Sequence, residues 1–258
     1  MARKWAKFPY ADKAYVYEGA ALKKAWPRLH RGDCEPLPKD GAALDAWSAF
    51  HAGEFARAVD AGRAAGGAGI DAAVKAQVVY GHYLEASATA KLALFEEAAA
   101  WADERRAASP KEANAHYLYA FALGRYSQCI SVAKALAQGL GGRIKDALLL
   151  AMKLDPKHAD ANIAYGAYQA EVIDKVGALV AGMTYGAKKD SAVEHFRKAV
   201  GLFPESAIAR IEYANGLIMM FGKSRLGEAT KLYEQAAGCD PADAMERLDV
   251  ERAKEELA

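Results

Sequence analysis

Three segments of the chain share one spacing of apolar residues, and each ends at a proline. The positions i, i+4, i+7 and i+12 hold Ile144, Leu148, Ala151 and Pro156, then Ala192, Phe196, Ala199 and Pro204, then Ala229, Tyr233, Ala236 and Pro241. Residues at i, i+4 and i+7 lie on one face of an α-helix. Proline cannot continue a helix, because it has no amide hydrogen to donate. The sequence therefore predicts three amphipathic helices, each followed by a turn.

A second amphipathic segment follows Pro156 and Pro204, and the same order of proline and helix recurs after Pro110. About ten positions after each proline stands a small residue, namely Ala120, Gly166 and Ala214. A small side chain there lets two helix backbones approach closely. A looser version of the pattern, from residues 44 to 66, suggests a further helix pair.

This pattern resembles the tetratricopeptide repeat (TPR), a helix-turn-helix unit of 34 residues with A-x3-F and terminal proline elements. The resemblance implies an all-α, TPR-like array of about four to five helix pairs, because one pair cannot bury its apolar face alone. Successive prolines are 46, 48 and 37 residues apart, so we expect long inserts between helices. The expected divisions are an N-terminal segment (1–41), the repeats (42–241) and a C-terminal capping helix (242–258). The placement of the inserts also resembles regulators of microtubule dynamics and the TPR component of tripartite periplasmic transporters.

The composition of the chain limits the partners and the cellular location that we expect. Charged residues make up 26% of the chain and the formal net charge is +1, so nucleic acid is not the expected partner. Cys34, Cys129 and Cys239 are far apart and form no C-x-x-C pair, which favours reduced thiols. The N-terminus lacks the apolar run of a secretory signal, and no apolar run approaches the roughly 20 residues of a membrane span. We expect a cytoplasmic protein without a transmembrane segment.

No set of residues forms a recognisable catalytic or metal-binding motif. Gly222-Lys223-Ser224 would need a glycine at position 217 to form a P-loop, but that residue is Leu217, so a turn is expected instead. The histidines show no H-x3-H or H-E-x2-H spacing, and no serine lies in G-x-S-x-G. We therefore predict a non-enzymatic protein with no metal and no cofactor.

The resemblance implies a concave groove lined by the first helix of each pair. The fifth and ninth positions of the repeats are Tyr117, Phe121, Ile163, Ala167, Ile211 and Asn215. Only Asn215 resembles the donors with which some TPR domains bind a carboxylate. The mostly apolar set suits an amphipathic or hydrophobic partner segment. Alternatively, residues 171–187 fold into the groove and these six residues are simply core.

The leading hypothesis is a scaffold that binds a protein or peptide partner or associates with itself. The second is a carrier of a small hydrophobic ligand, as the transporter-associated resemblance implies, and an enzyme is third. The N-terminal segment is rich in aromatic and basic residues. Its rings could stack on bases or meet a membrane surface, although a packed cap is the expected arrangement.

Overall fold

The computed structural model describes residues 5–258, and residues 1–4 of the expected N-terminal segment lie outside the described part. Every regular element in the described part is helical. The α-helices are α1 (Gly19–Leu29), α2 (Gly41–His51), α3 (Phe55–Ala65), α4 (Gly69–Tyr83), α5 (Ala88–Ala108), α6 (Ala113–Gln128), α7 (Val132–Ala137), α8 (Leu140–Leu154), α9 (Ala159–Val176), α10 (Ala178–Val180), α11 (Lys189–Leu202), α12 (Ala207–Phe221), α13 (Leu226–Ala237) and α14 (Ala244–Glu255).

These helices form successive antiparallel pairs, which are α2 with α3, α4 with α5, α6 with α8, α9 with α11, and α12 with α13. The three segments that end at a proline are α8, α11 and α13. Both α8 and α11 end two residues before their proline, where the expected turns begin. The prediction of an all-α array of stacked helix pairs is confirmed.

The core between α9, α11 and α12 shows why small residues recur in the first helices. Phe196 of α11 is fully buried, and its ring stacks on Tyr213 with the centroids 5.3 Å apart. A Cβ atom at Gly166 would lie 2.9 Å from this ring, and one at Gly216 would lie 2.5 Å from it. The ring therefore fills a space that exists only because both neighbouring helices have a glycine there.

The extra residues of the longer repeats form short elements between the paired helices. Helix α7 separates α6 from α8. Helix α10 and a π-helical turn, Ala181–Tyr185, separate α9 from α11. The Gly-Lys-Ser sequence forms a 3₁₀ turn, Gly222–Arg225, between α12 and α13, so the expected turn is confirmed.

The N-terminal segment packs on the first repeats and then crosses the inner face of the array. Trp5 lies against Tyr80, with the ring centroids 4.2 Å apart, and Phe8 contacts Phe55. Residues 30–36, which follow α1 and are called the strap here, run past the N-terminal ends of the first helices. Asp33 pairs with Lys75 of α4, and the Gly32 carbonyl accepts a hydrogen bond from the Asp160 amide of α9.

Helix α14 follows the last pair and folds back towards the start of the chain. Arg28 of α1 makes two hydrogen bonds to Glu246 of α14, of 2.6 and 2.8 Å. His51 of α2 is 2.7 Å from Asp243, which caps the N-terminus of α14. The array is therefore closed on itself, and its concave side becomes an inner chamber.

Candidate functional site

The inner chamber contains an apolar cavity of about 210 Å³. Its walls come from the first helices α4, α6 and α9, with contributions from α7, α8, α12 and α14. The apolar lining includes Val79, Tyr117, Phe121, Leu140, Ile144, Leu148, Ile163, Ala167, Tyr168, Val172 and Met245. Aromatic and aliphatic walls with a few polar groups are typical of a binding pocket.

A second, more polar pocket of about 520 Å³ adjoins the apolar cavity. The two pockets share His82, Tyr83, Arg125, Gln128, Glu171, Ile208 and Glu212. Beyond these shared residues, the polar pocket is lined by Ile211, Asn215, Met219, Glu251 and Arg252, among others. The chamber therefore has an apolar half and a charged half that lie next to each other and share these residues.

Paired side chains separate the two halves. Arg125 of α6 lies 3.4 Å from Glu212 of α12. Gln128 donates a hydrogen bond to Glu171 of α9. Burial raises the pKa of Glu171, although the neighbouring Lys175 lowers it. These pairs place both hydrogen-bond donors and acceptors at the edge of the apolar half.

The structure brings all six sequence-predicted residues to the chamber, but it divides them between the halves. Tyr117, Phe121, Ile163 and Ala167 line the apolar cavity, whereas Ile211 and Asn215 line the polar pocket. The Tyr117 and Phe121 rings stack nearly parallel, with centroids 5.7 Å apart. Asn215 accepts a hydrogen bond from Tyr233 and is thus oriented by α13. Their role in binding a partner stays a prediction.

The alternative in which residues 171–187 fill the groove is wrong. Leu179 is 76% exposed and Met183 is 82% exposed, so the tip of this insert faces away from the chamber. Only its ends, including Val176 and Tyr185, reach the mouth of the cavity. The part of the chain that occupies the inner face is instead the strap.

Sequence reasoning missed the charged residues of the chamber. Arg125 lies one helical turn beyond Phe121, and Glu171 lies one turn beyond Ala167. Continuing the i, i+4 register along the first helices would therefore have found them. No such signal exists for Asp249, because α14 enters the chamber only through ring closure.

Two buried carboxyl groups face the apolar cavity. Burial raises the pKa of Asp160 to about 7 against the influence of Lys75, and burial raises the pKa of Asp249 to about 8. Tyr83 donates a hydrogen bond to Asp249, which lowers this pKa, while the carboxylates of Glu246 and Asp243 raise it further.

The described residues include no group of three or more histidine, cysteine or acidic side chains placed to hold a metal ion. Within residues 5–258, no helix combines the length and apolar character that crossing a bilayer requires.

Comparison with known proteins identifies the family of the chain that forms this site. Residues 72–258 match the model of the family described as regulator of microtubule dynamics protein 1-3. The chain belongs to this family. The match begins in α4 and covers every first helix of the chamber from there to α14, whereas the strap lies before it.

The fold also has a counterpart among solved structures. It is similar to the crystal structure of a thermophilic TPR protein from Thermus thermophilus, with a TM-score of 0.58. The sequences are 15% identical, and the alignment covers 83% of this chain and 97% of the other. The resemblance to TPR proteins is therefore confirmed at the level of fold. No curated protein matches the sequence.

Proposed function

We propose that the protein is a non-enzymatic adaptor whose inner chamber binds a segment of a protein partner. The observation that supports this best is that an apolar cavity adjoins a pocket lined by charged and amide side chains. A peptide segment needs both, because its apolar side chains seek a dry pocket while its backbone needs hydrogen-bonding groups.

The pairs at the boundary support a peptide rather than a purely apolar ligand. Arg125 and Gln128 offer donors, and Glu171 and Glu212 offer acceptors, beside the stacked rings of α6. The aromatic pair supplies the rigid apolar surface on which interface energy is commonly concentrated. Reduced thiols at Cys34, Cys129 and Cys239 are consistent with action in the cytoplasm, where we place the protein.

Filling the cavity tests the proposal. Ala167 lines the cavity, so Ala167→Phe occupies part of its volume without altering a charge. Ala64→Phe, at an exposed position of α3, adds the same side chain outside the chamber. A displayed library of random peptides is selected on the unchanged protein, and the enriched peptides are then measured on both variants.

We expect at least tenfold weaker peptide binding to Ala167→Phe and unchanged binding to Ala64→Phe. Equal binding to the two variants, or no enrichment at all, would contradict the proposal. Tubulin is the first defined partner to examine, since the name of the family refers to microtubule dynamics. A second copy of the chain is a further possible partner, and sedimentation of both variants tests it.

A carrier of a small hydrophobic ligand is the second candidate, and one observation favours it. The Tyr168 side chain lines the cavity and is 8% exposed, yet its buried hydroxyl has no hydrogen-bond partner among the described residues. A buried hydroxyl usually has a partner, which a bound molecule could provide. Native mass spectrometry of the purified protein should then show a bound species that is lost from Ala167→Phe.

A further inference from the structure

The strap contacts two charged residues that line the apolar cavity, Lys75 and Asp160. Tyr117 and Met245 line the same cavity. Two contacts with the strap fix the position of the charged residues. Asp33 pairs with Lys75 at 2.5 Å, and the Asp160 amide donates a hydrogen bond of 2.9 Å to the Gly32 carbonyl. The part of the cavity that Lys75 and Asp160 line is called the floor here.

The positive groups near the floor are already paired with other carboxylates. Lys75 pairs with Asp33, and Arg125 lies 3.4 Å from Glu212. The side chain of Arg28 makes both of its hydrogen bonds to Glu246. Each of these three cations therefore has a carboxylate partner of its own, although the charge of Lys75 also favours the ionised form of Asp160.

Four carboxyl groups line the cavity in the described part of the chain, and of these Asp160 and Asp249 have no ion pair there. Asp160 is 9% exposed, and within residues 5–258 its carboxylate has no direct hydrogen bond or ion pair, so that Lys75 acts on it only at longer range. Asp249 is 3% exposed and accepts one hydrogen bond, from Tyr83. Burying a carboxylate without a counter-charge costs several kcal/mol, so such groups take up a proton or bind a cation.

The rest of the floor suits a cation on an apolar stem. Tyr83 and Tyr117 also line the cavity, and the face of a tyrosine ring carries negative electrostatic potential that attracts a cation. Val79, Ile163 and Met245 provide aliphatic contacts in the same cavity. An ammonium group at the end of a short alkyl chain matches both features.

We propose that the floor binds the ammonium group of a lysine side chain from the partner, between Asp160 and Asp249, with its alkyl stem in the apolar cavity. This inference rests on the proposed function, since it names the anchor residue of the bound segment. Arginine suits the site less well than lysine. Its planar guanidinium binds best to a single carboxylate that accepts two hydrogen bonds, whereas the proposed site lies between two separate carboxyl groups.

Binding of the cation displaces protons from the two carboxyl groups. The pKa of Asp160 is about 7 and that of Asp249 about 8, so part of each group is protonated at neutral pH. Affinity should therefore rise between pH 6 and pH 8. The titratable and charged groups that surround the floor are Asp33 of the strap, Lys75 and Tyr83 of α4, Tyr117 and Arg125 of α6, Glu212 of α12, and Asp243 and Glu246 of α14.

The experiment uses n-pentylamine, which reproduces a lysine side chain from Cα to Nζ, and 1-pentanol as its neutral counterpart. Nα-acetyl-lysine methylamide distinguishes a lysine within a peptide from a free amine. Binding to the full chain is followed by NMR chemical shifts at pH 6 and pH 8. The variants are Asp160→Asn and Asp249→Asn, with Asp174→Asn, an exposed position on the same helix as Asp160, as the control.

We expect the amine and the capped lysine to bind at least tenfold more tightly than pentanol at pH 8, and about tenfold more tightly at pH 8 than at pH 6. Each cavity variant should remove most of this preference, whereas Asp174→Asn should keep it. Pentanol binding as tightly as the amine, or binding of the amine without the capped lysine, would overturn the proposal. If peptide binding still depends on Ala167 in that case, the proposed function stands without a lysine anchor.

Discussion

The packing of Phe196 leads to a sharp prediction for the stability of the array. Phe196→Ala should reduce the free energy of unfolding by about 4–5 kcal/mol, the upper part of the usual range of about 3–5 kcal/mol for this substitution. The reason is the shape of the site. Two of its walls are backbone at Gly166 and Gly216, which cannot move inward as flexible side chains do, so most of the cavity remains.

A double-mutant cycle with Gly216→Ala tests this reasoning. In the unchanged protein the new methyl group would lie 2.5 Å from the Phe196 ring, so the crowding should destabilise the fold by about 1–3 kcal/mol before helix propensity offsets about 1 kcal/mol. In Phe196→Ala the methyl group meets empty space. Gly216→Ala should then stabilise the protein, and the sign of its effect should reverse between the two backgrounds.

Urea unfolding followed by circular dichroism at 222 nm measures all four proteins of the cycle. Gly201→Ala is the control on the same helix as Phe196, because its methyl group would have no neighbour within 4 Å. It should leave the protein equally stable or about 0.5–1 kcal/mol more stable. A loss of less than about 1.5 kcal/mol for Phe196→Ala, or an equal effect of Gly216→Ala in both backgrounds, would refute the reasoning.

Three further predictions concern the buried charges. The folded-state pKa of Asp249 is about 8, above the unfolded value of 3.8, so the stability that comes from its protonated form is lost as pH rises. The urea midpoint of Asp249→Asn, relative to that of the unchanged protein, should therefore increase between pH 4 and pH 8. A difference between the two midpoints that stays constant with pH would contradict this. Lys75→Met removes the lysine partner of the buried Asp33 carboxylate, which keeps only its contacts with His30 and the Glu35 amide, and should lower stability by about 3–5 kcal/mol. Lys75→Met with Asp33→Asn should recover part of this loss in the same unfolding assay. Arg28→Ala breaks the contact with Glu246 that joins α1 to α14, so the rate of amide hydrogen exchange should rise in α14. An equal rise in α8 would show that the whole protein is destabilised, which would contradict a local effect on α14.

The repeat pattern was sufficient to predict the fold class and the helices that line the site. The i, i+4, i+7 spacing and the prolines identified α8, α11 and α13, because helix periodicity and helix termination are local properties of the sequence. The resemblance to TPR proteins implied that Tyr117 and Phe121 face the groove, and both line the apolar cavity. Their stacking follows from a separation of four residues on one helix.

The charged half of the site was only partly accessible to this reasoning. Arg125 and Glu212 lie on helices that the pattern identified, but their contact joins α6 to α12 across the chamber. Such a contact depends on how strongly the array curves. Curvature is the sum of small rotations between successive pairs, and a spacing of residues along the chain does not specify it.

The sequence by itself determined that the chain forms helix pairs, where these pairs end, and which faces of the first helices point inward. Only the tertiary structure decided that the array closes into a ring, that the strap rather than residues 171–187 lies on the inner face, and that Asp160 and Asp249 meet in one cavity. The physical reason is the separation along the sequence of the residues that decide each property. Helix periodicity arises from neighbours within about four residues, whereas ring closure depends on contacts such as Arg28 with Glu246, which join residues 218 positions apart.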